Sequence, residues 1–198
     1  GSVIRGSSPR RVAIRAVADT RHLSSVAHRR PGRLRFLKTS SSEAMQQDRN
    51  NSMDASLSTI ILAAGRGSRM KSDLPMVLHQ ILGVPMIELV IEKVRQAGSD
   101  DLTLVLGHGA DQVQRALGET PIRSAIQQPQ RGTADAVLAA LLQHPPSHPD
   151  VLVVNGDLPD LDPELLTRFV ADHRSGGSVF SVASARVTDP QGMGRIGP

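Results

Sequence analysis

The sequence of 198 residues predicts a three-layer α/β domain on a mainly parallel central sheet. From Leu57 onward, short apolar runs alternate with segments of helical periodicity. Three of those runs end in glycine-containing loops, at residues 64–67, 107–109 and 155–157. Ligands of parallel α/β sheets sit at the carboxyl ends of the strands, so one edge would present all three loops together.

Residues 1–56 show no sustained apolar periodicity and are expected to form a disordered basic extension, with an incomplete domain at 57–198. Eleven of the 23 Lys and Arg residues, but only three of the 19 Asp and Glu, lie in residues 1–50. That segment carries a net charge of +8 and the remainder −4, so the basic balance belongs to the extension. An Arg- and Ser-rich, acid-poor composition also suits an organelle transit peptide or an arm for an anionic surface. The plain extension is preferred, and a cytoplasmic location is expected, with an organelle as the alternative.

The elements follow in order. Residues 57–63, LSTIILA, form a β-branched apolar run and read as a buried strand. Residues 85–97 carry apolar positions 86, 87, 90, 91 and 94, a helical spacing closed by Gly98. Residues 101–106 read as a strand, 111–117 as a short helix and 122–126 as a weak strand. Residues 133–143 read as a helix with Ala136, Val137, Ala140 and Leu141 on one face. Then come an apolar strand at 151–154, a helix at 163–173 with Asp162 as its cap, and a strand at 178–185.

Composition removes several function classes. Three Phe, no Tyr and no Trp argue against base-stacking platforms, and no nucleic-acid partner is expected. Without cysteine there is no disulfide framework and no thiolate metal site. No apolar run approaches the ~20 residues of a membrane span, and no membrane partner is expected.

Chemistry concentrates in four segments. Ala64 to Arg69 is a glycine turn at a strand's end, where bare backbone N–H groups approach a ligand. Arg66, Arg69 and Lys71 add cations, so the site suits a polyanion such as nucleotide phosphates. A Walker loop would need Lys-Ser/Thr after Gly67, and a dinucleotide fingerprint would need glycine where Met70 stands. In QQPQRGTA, residues 127–134, the Gln side chains offer a base both donor and acceptor, and Thr133 can cap the next helix. Asp157 ends an apolar strand in NGD; it is either a Mg²⁺ ligand or a turn residue. GMGRI at 192–196 is weak evidence alone. His79 and His108 are read as structural.

LAAGRGSRM (62–70), SDLPMVLH (72–79), the Gln127 segment, NGD and GMGRI occur in the order found in the sugar-nucleotide pyrophosphorylases. The chain resembles that family, in particular the uridylyltransferase domain of bacterial bifunctional enzymes that make UDP-N-acetylglucosamine. The resemblance implies a Rossmann-like nucleotidyltransferase domain, C-terminally truncated, using Mg²⁺, UTP and N-acetylglucosamine 1-phosphate. It implies nucleotide binding by Leu62, Ala63, Ala64, Gly65, Gly67, Gln127, Gly132 and Thr133. It implies catalytic roles for Arg69 and Arg66, sugar binding by Gly194 and metal binding by Asp157. Homo-oligomerisation is expected only if a C-terminal β-helix domain exists in the full-length protein.

The chain departs from the family at four positions. Met76 stands for the family's Lys and is the departure that matters most; Asn155 stands for an aromatic residue, Met193 for Tyr, and Asp135 for a His inside the helix, where the change is expected to be harmless. The family domain also continues beyond its G-R-I motif, so the chain is expected to be a fragment. Two alternatives therefore stay open. One is another transferase of this fold, such as a molybdopterin guanylyl- or cytidylyltransferase. The other is a non-catalytic nucleotide binder, motivated by Met76.

Overall fold

The computed structural model describes residues 11–15, 57–65, 67 and 70–184. In chain order the elements are β1 (Arg11–Arg15), β2 (Leu57–Leu62), a one-turn 3₁₀ helix (Met76–Leu78), β3 (Gln80–Ile81), β4 (Val84–Pro85) and α1 (Met86–Gln96). There follow β5 (Ser99–Leu106), α2 (Ala110–Leu117), β6 (Arg123–Ile126), α3 (Thr133–Gln143), β7 (Asp150–Asn155), α4 (Pro163–Ser175) and β8 (Phe180–Ala183). Six strands form one sheet in the order β6-β5-β2-β7-β1-β8, and every pairing is parallel. The α/β expectation is met.

The near-continuous apolar character of β2, β5 and β7 follows from burial on both faces. Side chains alternate across the pleat, so each strand feeds two cores. Ile61, Leu104, Leu106, Leu152 and Val154 point into one core, with Ile87, Val90 and Val94 of α1, Val113 of α2 and Leu166 of α4. Ile60, Val105, Val151 and Val153 point into the other, with Ala136, Val137 and Ala140 of α3. Each fully buried Ile, Leu or Val contributes roughly 1.5–3 kcal/mol. The alanine face of α3 packs on the sheet, and because α3 starts from the loop that leaves the carboxyl end of β6, its N-terminus lies at the carboxyl edge.

Two helix ends match their local chemistry. Asp162 caps α4 by accepting from the Glu164 N–H at 3.0 Å, with Pro163 in the first turn. Gly98, at φ +91°, lets the chain leave α1 and turn into β5.

Two features depart from expectation. Within the segment expected to be a disordered extension, Arg11–Arg15 forms β1, paired in parallel with β7 on one side and β8 on the other. Val12-Ala13-Ile14 has the composition of a strand, but three residues are too few to register as periodicity. The other 51 residues of the extension lie outside the described part. The second feature is the hairpin β3–β4, turning at Leu82 and Gly83, both at positive φ as a type I′ turn requires.

Candidate functional site

The carboxyl edge of β2, β5, β6 and β7 brings together four loops that are far apart in sequence. The first follows β2. Ala63 N–H donates to the Val105 carbonyl at 2.8 Å, extending the ladder one step past the strand. Ala63 and Ala64 are buried, and Gly65 is exposed. The N–H groups of Ala64, Gly65 and Gly67 have no partner among the described residues. Unpaired amides at a strand's end are what an anion-binding turn needs. Gly67 sits at φ +60°, and a Cβ there would lie 2.6 Å from Met76 Cβ.

The segment that holds Met76 is wedged between two loops. Pro75 packs on Gly109, where a Cβ would lie 2.4 Å from Pro75 Cγ. Met76 opens the 3₁₀ turn and lays its thioether against Gly67. Where the family would put an ammonium, this chain has an apolar side chain packed on the glycine turn. Lys71 is exposed near the turn. Arg66 and Arg69 lie outside the described residues, as do Met193 and Gly194.

The loop after β6 is tied down by its own side chains. Gln127 N–H donates to the Leu106 carbonyl at 2.8 Å, continuing the β5–β6 ladder. Its side chain is only 5% exposed. Nε2 donates to the Gly132 carbonyl at 3.0 Å and to Asp135 Oδ2 at 2.9 Å. The expectation that Gln127 offers a ligand both donor and acceptor is therefore corrected: both amide protons are used within the loop. Thr133 does not cap α3 either. Gly132, at φ +111°, is the N-cap, Thr133 is the first helical residue, and no side chain caps this end. Glycine takes that backbone conformation without the strain a Cβ would add.

Gln130 reaches across to the glycine turn, its Nε2 donating to the Ala64 carbonyl at 2.7 Å. The path is open because residue 107 is glycine; a Cβ there would lie 2.4 Å from that nitrogen and 3.0 Å from the Ala64 oxygen. Sequence reasoning offered Gln130 to a base and put Gly107 on the ligand edge, but it did not foresee this contact between the two loops. A glycine just past a buried strand was the available signal.

Gly156 N–H donates to the Leu62 carbonyl at 2.8 Å, so the loop after β7 is stitched to the end of β2. A Cβ on Gly156 would lie 3.1 Å from that oxygen. Asp157 follows, exposed, with no partner for its carboxylate among the described residues. Among the described residues no three His, Asp or Glu gather as a metal cage. A lone, free carboxylate fits Mg²⁺, which takes one or two protein carboxylates and completes its shell with phosphate oxygens and water. His108 is exposed, and His79 is half-buried with its Nε2 enclosed and unpartnered among the described residues.

A glycine turn with unpaired amides shares this sheet edge with a helix N-terminus and a free carboxylate, and the fold and its relatives are those of the nucleotidyltransferases. A family model for the MobA-like NTP transferase domain matches residues 59–193, and the chain belongs to that family. The bifunctional protein GlmU of Sorangium cellulosum is 42% identical over 147 residues, covering 71% of this chain and 31% of that protein. The chain thus spans about a third of the length of the curated relatives it matches. Rv0371c of Mycobacterium tuberculosis superposes with a TM-score of 0.53 at 27% identity, over 62% of this chain and 63% of that one. A nucleotidyl transferase of Methanothermobacter thermautotrophicus gives 0.50 at 30%, over 57% and 55%. The resemblance to sugar-nucleotide transferases expected from the motifs is borne out.

Proposed function

We propose that this chain transfers uridylyl from UTP to N-acetylglucosamine 1-phosphate. The observation that carries the reading is the meeting, on one sheet edge, of the free amides of Ala64, Gly65 and Gly67, the loop from Gln127 to Thr133, and Asp157. A sugar-phosphate oxygen attacks the α-phosphorus of UTP in line. The new P–O bond forms as the bond to the bridging oxygen of the β-phosphate breaks, and pyrophosphate leaves. The backbone of residues 64–67 holds the phosphates, Arg66 and Arg69 neutralise the leaving pyrophosphate, and Gly194 meets the sugar. Leu62 and Ala63 set the strand end from which the turn departs, and Gly132 and Thr133 border the base. Mg²⁺, when held by Asp157, supplies charge neutralisation at the phosphates.

Met76 supports a second reading, a nucleotide binder without turnover. Loss of one transition-state cation costs ~2.7–4 kcal/mol, or about 10²–10³-fold in rate, if it acts like one lost donor. The test is pyrophosphate release from UTP, N-acetylglucosamine 1-phosphate and Mg²⁺ by this chain and its Met76→Lys variant. Turnover by the chain supports transfer. Turnover by the variant alone supports the binder. No turnover by either, with no UTP binding, removes both.

A further inference from the structure

The Gln127 amide is held by two acceptors, and that fixes which way round it is. The atom facing the Gly132 carbonyl and the Asp135 carboxylate must be the NH₂, because an amide oxygen there would be repelled by both. Oε1 has no partner among the described residues and is not among the enclosed, unpartnered atoms, so it keeps contact with solvent. A side chain that could present either hydrogen-bonding character therefore presents only an acceptor.

We propose that Asp135 is a specificity-positioning residue: by taking one Nε2 proton it locks the Gln127 amide with Oε1 outward, so that the loop accepts a base carrying a ring N–H. This rests on the nucleotide-binding reading above and deepens it. A uracil N3–H donates to such an oxygen. Cytosine has a bare, accepting N3 at the same place and is repelled. The carboxylate in the first turn of α3 also weakens phosphate binding at that helix end, but it does so equally for every nucleoside triphosphate. Only the ratio between bases reports the lock.

The variant is Asp135→Asn, which keeps the shape but can donate to Oε1 and so permits the flipped amide; Asp135→Ala is its companion should Asn perturb the helix start. Two quantities are read on the whole chain. The first, without nucleotide, is the NMR signature and exchange protection of the Gln127 side-chain NH₂. The second is the ratio of UTP to CTP dissociation constants with Mg²⁺. The wild type is expected to show a protected NH₂ and to prefer UTP. Both substitutions should lower the protection, and Asp135→Asn should narrow the preference about tenfold, the scale of one well-made hydrogen bond. An unchanged ratio and unchanged NH₂ protection in the variants overturn the role of Asp135 while leaving the proposed function standing. Wild-type chain that binds neither nucleotide overturns the proposed function and the specificity role with it, whatever the NH₂ shows. A wild-type preference for CTP overturns the lock and, with it, the choice of UTP as the nucleotide, while leaving nucleotide binding at this edge standing.

Discussion

The two edges of the sheet are built from opposite materials. At the amino edge, charge is consumed internally. Asp101 accepts from Ser58 Oγ at 2.6 Å, from Ser147 N–H at 2.7 Å and from the Arg123 guanidinium. Ser99 Oγ bonds both the Leu57 carbonyl and Thr59 Oγ1, and His148 pairs with Asp100 at 2.7 Å. At the carboxyl edge glycines replace side chains, amides stay unpaired and Asp157 stands free. One end of the same strands is closed on itself, while the other keeps unpaired amides and an unpartnered carboxylate among the described residues. Those open groups are the ones the proposed nucleotide and metal would complete.

That contrast predicts a separation of effects. Asp157→Asn should lower turnover about 10²–10³-fold, the scale of a lost transition-state contact, with the thermal midpoint unmoved. A destabilised Asp157→Asn protein would contradict the division. Asp101→Ala does the reverse. It leaves three donors without their acceptor, and a urea titration should show a loss of about 2–3 kcal/mol, since the Arg123 head is partly solvated. UTP affinity of the folded fraction should be unchanged. Gly107→Ala sharpens the comparison. Its Cβ displaces Gln130 from the Ala64 carbonyl, so UTP affinity should fall about tenfold while stability falls by about 1 kcal/mol. Ser99→Ala should cost about 1 kcal/mol in the same titration, with no change in UTP affinity.

Much of this was legible in the sequence. The strands β2, β5 and β7 are apolar on both faces, so a run of Ile, Leu and Val announced each one. Asp162 before Pro163 announced the start of α4. The glycine turn, Gly107, Gly132 and Asp157 could be seen to follow strands, and parallel topology then put them on one edge. What stayed hidden was set by contacts distant in sequence or by very short elements. Three apolar residues in a basic segment did not reveal β1, and two-residue strands cannot display a period. Thr133 looked like a cap, but the chain already turns at Gly132. The state of Gln127 depended on Asp135, eight residues on, and on a carbonyl that only the folded loop supplies. The reach of Gln130 to Ala64 crosses 66 positions, and no local pattern encodes it.

One detail at the sheet's margin has a separate consequence. The edge strand β6 is matched by the side chain of Gln143 at the end of α3. Gln143 Oε1 accepts from the Ile126 N–H at 2.9 Å, and its Nε2 donates to the Ile126 carbonyl at 2.9 Å. A single side-chain amide thus imitates one rung of a neighbouring strand. It occupies the rung where an incoming chain would begin to zip, beside an exposed isoleucine that would otherwise invite one. The protein carries its own chain terminator against polymerisation along β6, and it is no larger than a glutamine.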